Sequence, residues 1–70
     1  MPIQSKYSNQ TVENLMVEIQ TIMDKNHAAT DLQLMVLGNL VSQLLSEKIN
    51  QSQREILAQK FSQALLQSIK

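Results

Sequence analysis

Along most of this chain apolar residues recur at intervals of three and four, the repeat of an α-helix, and no run alternates with polar residues as a half-buried strand would. The first stretch holds Val12, Leu15, Met16, Ile19, Ile22 and Met23. On a helical wheel these make a stripe about 120° wide, with Glu13, Glu18, Asp24 and Lys25 outside it. Ser8 stands at the N-cap, with Tyr7 and Val12 at hydrophobic-staple positions, so a helix is predicted over about residues 9–25. A second start is the capping-box pattern Thr30-Asp-Leu-Gln33, which opens a helix over about 31–47. Asn50-Gln-Ser-Gln53 repeats that logic. Leu57, Ala58, Phe61, Ala64, Leu65 and Ile69 then form a face about 140° wide, predicting a third helix over about 51–69.

The middle helix differs from its neighbours. Leu34, Val36, Leu37, Leu40, Val41, Leu44 and Leu45 spread over roughly 200°, about twice the arc a helix buried on one side needs. Such a face needs covering by more than two short neighbours. Within it, Gly38 costs about 1 kcal/mol relative to alanine; either it makes with Ser42 a ridge of small residues that lets another helix approach, or it is a tolerated glycine with no contact role. Val17, Ile56 and Leu66, apolar but off their own stripes, are either ordinary exposed side chains or part of a further contact, with a second copy first and a cellular protein partner second. Short connections at Asn26-His-Ala-Ala29 and Lys48-Ile49 suit antiparallel neighbours. The pattern therefore predicts an all-α, three-helix subunit, one domain over residues 1–70, without internal repeats.

Length turns the surplus apolar face into an expectation of self-association. A 70-residue chain supports one core, which rarely supplies more than about 3 to 5 kcal/mol. With no cysteine, neither a disulfide nor a thiolate metal site can staple it. Oligomerisation remains. The expected interface is Val36, Leu37, Gly38, Leu40, Val41, Leu44 and Leu45. Six basic residues balance six acidic ones, and Lys6, Lys25, Lys48, Arg54, Lys60 and Lys70 are scattered, which argues against a polyanionic partner. Met1-Pro-Ile-Gln-Ser-Lys6 has no apolar leader region, and Leu34–Leu37 is far too short to span a bilayer. A cytoplasmic protein without a membrane partner is expected.

Particular residues also carry a family likeness: Ser5-Lys6-Tyr7, Thr30-Asp31-Leu32 followed by Leu34-Met35-Val36-Leu37-Gly38-Asn39, then Gln53-Arg54, Phe61 and Ala64-Leu65. Together they resemble the YejL-like family of small, uncharacterised bacterial proteins, over essentially the whole chain. The resemblance implies a three-helix subunit in an intertwined homodimer, a homodimeric helical bundle with no established activity, and it brings no catalytic residues to transfer. The chain departs from the family pattern at the connection Asn26-His27-Ala28-Ala29 and at Gln51, which stands where a proline can open the third helix.

Candidate chemistry is sparse. Asp24, His27 and Asp31 are the nearest approach to a metal set, but a helix must end between them and no second histidine is present. His27 suits a helix C-terminus and Asp31 a helix start. Ser8 and Thr30 are assigned to caps, Ser42 and Ser46 have no base beside them, and Glu13, Glu18, Glu47 and Glu55 fall on solvated faces. No Gly-rich phosphate loop occurs. No catalytic residue, cofactor or metal site is expected. Three helices also suit a helix-turn-helix, and the outward side of the third carries Gln53, Glu55, Gln59, Lys60, Gln63 and Gln67, but these offer few cations for phosphate. The expectation is a non-enzymatic homodimeric interaction or structural module. A weak or accessory nucleic-acid-binding regulator is the alternative.

Overall fold

The computed structural model describes residues 6–70. Met1–Ser5, which hold the start of the family motif and the segment tested for a leader, lie outside the described residues. The rest forms three helices, α1 (Asn9–Lys25), α2 (Thr30–Lys48) and α3 (Gln51–Ser68). The described chain is all-α, as its periodicity predicts.

Ser8 caps α1 from an extended backbone, its Oγ accepting the Thr11 N–H at 3.1 Å while its carbonyl accepts the Val12 N–H at 3.2 Å. Tyr7 before it is exposed, with Lys6 Nζ 5.5 Å from the ring centre. At the other end the chain reverses by reciprocal backbone bonds: the His27 N–H donates to the Asp24 carbonyl and the Ala28 N–H to the Met23 carbonyl, each at 3.0 Å. This six-to-one and five-to-two pairing is a Schellman motif, which needs a left-handed residue after the cap. His27 fills that place at φ 54°. Met23, just inside the turn, is 9% exposed and is the one buried apolar residue among those described.

The start of α2 corrects the capping-box expectation. Ala29 occupies the N-cap, Thr30 is already helical, and no side chain caps the end. Gln33 is engaged elsewhere: its Nε2 donates to the Ala28 carbonyl at 2.9 Å, and its Oε1 accepts from Gln20 Nε2 at 3.3 Å, tying α2 to α1. Asp31 accepts the Leu32 N–H at 2.9 Å and supplies the acid that a helix start favours. At α3 Asn50 is the N-cap, yet only its carbonyl is used, taking the Gln53 and Arg54 N–H groups at 2.9 and 3.1 Å.

Between α2 and α3 the extended Ile49 ends one helix and a single side chain closes the corner. Arg54, half-buried, donates from Nε to the Leu45 and Ile49 carbonyls at 2.8 and 3.1 Å, and from Nη2 to the Ser46 carbonyl at 2.6 Å. These carbonyls lie at the end of α2, where the helix leaves acceptors without partners and favours a cation.

The helices nevertheless do not close over a core. The chain exposes 6301 Å², against about 4,400 Å² for a folded monomer of its mass. Deducting the whole unfolded surface of five residues, about 800 Å², still leaves more than about 1,000 Å² of surplus. Its radius of gyration, 13.4 Å, likewise exceeds the value of about 11 Å for a compact chain of this length.

Candidate interaction surface

The surplus surface has a shape. The C-terminal half of α2 and the middle of α3 bound an open groove of about 540 Å³, almost wholly apolar, with Val41, Leu44 and Leu45 on one wall and Leu57, Phe61 and Ala64 on the other. The α3 wall is the apolar stripe read from its sequence. Ile49 lies at the corner, and two charged residues complete the lining, Lys48 from α2 and Lys60 from α3. A smaller hollow beside it is formed by Leu40, Gln43, Leu44, Glu47 and Lys48.

The seven residues expected at an interface are thus distributed unevenly. Val41, Leu44 and Leu45 line the groove, Leu40 and Leu44 share the hollow, and Leu37 is exposed. Val36 is half-buried. Gly38 faces open space: a methyl group there would meet no atom within 4 Å outside its own stretch of helix. Nothing in the subunit itself therefore requires glycine at this position.

α1 leaves the middle of its own apolar stripe uncovered as well, between half-buried Val12 and buried Met23. Leu15, Met16, Ile19 and Ile22 are exposed, and no residue of α1 lines the groove between α2 and α3. Asp24, His27 and Asp31 do not converge, for among the described residues no three His, Cys, Asp or Glu side chains are grouped to hold a metal ion. None of the described helices is long and apolar enough to cross a membrane.

The family profile for proteins of unknown function (DUF1414) matches residues 26–69, from the Schellman turn through α3. A UPF0352 protein of Shewanella sediminis is 53% identical over 70 residues, covering 100% of this chain and 99% of its own. The chain belongs to the UPF0352 family. Other UPF0352 proteins extend the similarity: one from Aliivibrio fischeri is 44% identical over 69 residues, and one from Vibrio vulnificus 42%, each covering 99% of this chain and 92% of its own.

Two features of this UPF0352 chain escape a reading of its sequence. Lys48 and Lys60 look like solvated charges until the packing of α2 against α3 places both at one groove. Arg54 looks like a scattered cation until the corner brings three carbonyls to it. Spacing along the chain offers a faint signal only for the groove, since Lys60 lies one position before Phe61 at the edge of the α3 stripe.

Proposed function

We propose that the chain works as a homodimer, a non-enzymatic helical interaction or structural module whose seam runs along Val36, Leu37, Gly38, Leu40, Val41, Leu44 and Leu45. The surplus of surface carries this reading. A stable association buries about 800 Å² on each partner, and the chain exposes more than that beyond a compact monomer of its size. Leu34 is 67% exposed and Leu44 57%, a poor arrangement for a subunit that stands alone.

Coupled folding and association make the melting temperature depend on concentration. A tenfold increase in protein stabilises a dimer by about 1.4 kcal/mol, which raises its midpoint by about 3 to 6 °C. Helical circular dichroism across a hundredfold range of concentration, with sedimentation equilibrium, is the test. A monomer at 100 μM with an unmoving midpoint, on the order of concentrations at which weak dimers form, overturns the proposal. Nucleic acid is not the expected partner, because α3 carries few cations for phosphate and Glu55 opposes them. A gel-shift at low salt is expected to show no complex.

A further inference from the structure

We draw no further inference here: the strongest candidate, the apolar groove between α2 and α3 with Lys48 and Lys60 in its lining, belongs to the interaction surface already described, and the charges around it do not single out an occupant.

Discussion

His27 is the one described residue other than glycine with a positive φ, 54°, and its backbone rather than its imidazole is what the turn uses. An L-residue in this conformation costs on the order of 1 kcal/mol because its Cβ crowds the backbone. The Schellman bonds to Asp24 and Met23 hold it there. His27→Gly is therefore expected to stabilise the protein by about 1 kcal/mol, less what glycine gains in freedom when unfolded. His27→Ala keeps the Cβ and is expected to give little or none of that gain. Urea unfolding of the two variants at one protein concentration separates a backbone role from an imidazole role. The sequence places His27 at a helix end, where a histidine interacts with the dipole, but a left-handed residue is decided by how the chain must turn over Met23. Asn26 was an equally suitable residue for that conformation, and it instead donates from Nδ2 to the Ile22 carbonyl at 2.8 Å.

At the scale of elements, helix positions were legible because the apolar repeat is set by residue type alone, whereas the ends were not. Thr30 and Gln33 have the right identities for a capping box, yet Gln33 is drawn to the Ala28 carbonyl and to Gln20 on α1. Ser8 does cap: its Oγ accepts the Thr11 N–H at 3.1 Å and also lies 2.9 Å from the Thr11 hydroxyl. The corner between α2 and α3 shows the same limit from the other side. Arg54 lies nine residues beyond Leu45, and no local spacing rule links a cation to carbonyls at that distance in sequence. Its three bonds are charge-assisted and partly shielded from water, and removing the guanidinium leaves acceptors without donors. Arg54→Ala is expected to cost about 1.5 to 3 kcal/mol, measured by urea unfolding. Arg54→Lys is expected to recover less than half of the loss, because an ammonium cannot reproduce the planar fork that reaches Leu45 and Ser46 together.

For the whole molecule, the width of the apolar arc on α2 was the most informative part of the sequence, and the open packing of the three helices gives it a physical meaning. Periodicity says how much of a helix is apolar. It does not say which flank meets α1, which meets α3 and which is left over, because that depends on the turns at His27 and Ile49. The structure divides the arc: Val36 is half-buried, Val41, Leu44 and Leu45 form a groove wall, and Gly38 and Leu37 face outward. Leu44 gives the sharpest test of what covers the remainder. It is 57% exposed in the subunit. For a free-standing subunit, Leu44→Asp would be a surface substitution with an effect within about 0.5 kcal/mol. If a second copy covers the groove, the same change buries a carboxylate without a partner in an apolar site and costs several kcal/mol. The whole stability of a chain this small is on the order of 5 kcal/mol. Leu44→Asp is therefore expected to abolish cooperative helical melting rather than release folded monomers, while Gln63→Asp, at an exposed position of α3, leaves the melt nearly unchanged. Circular dichroism and sedimentation of the two variants decide it: a stable helical Leu44→Asp monomer would show that the groove is not essential to the fold, and with it that folding and association are separate events.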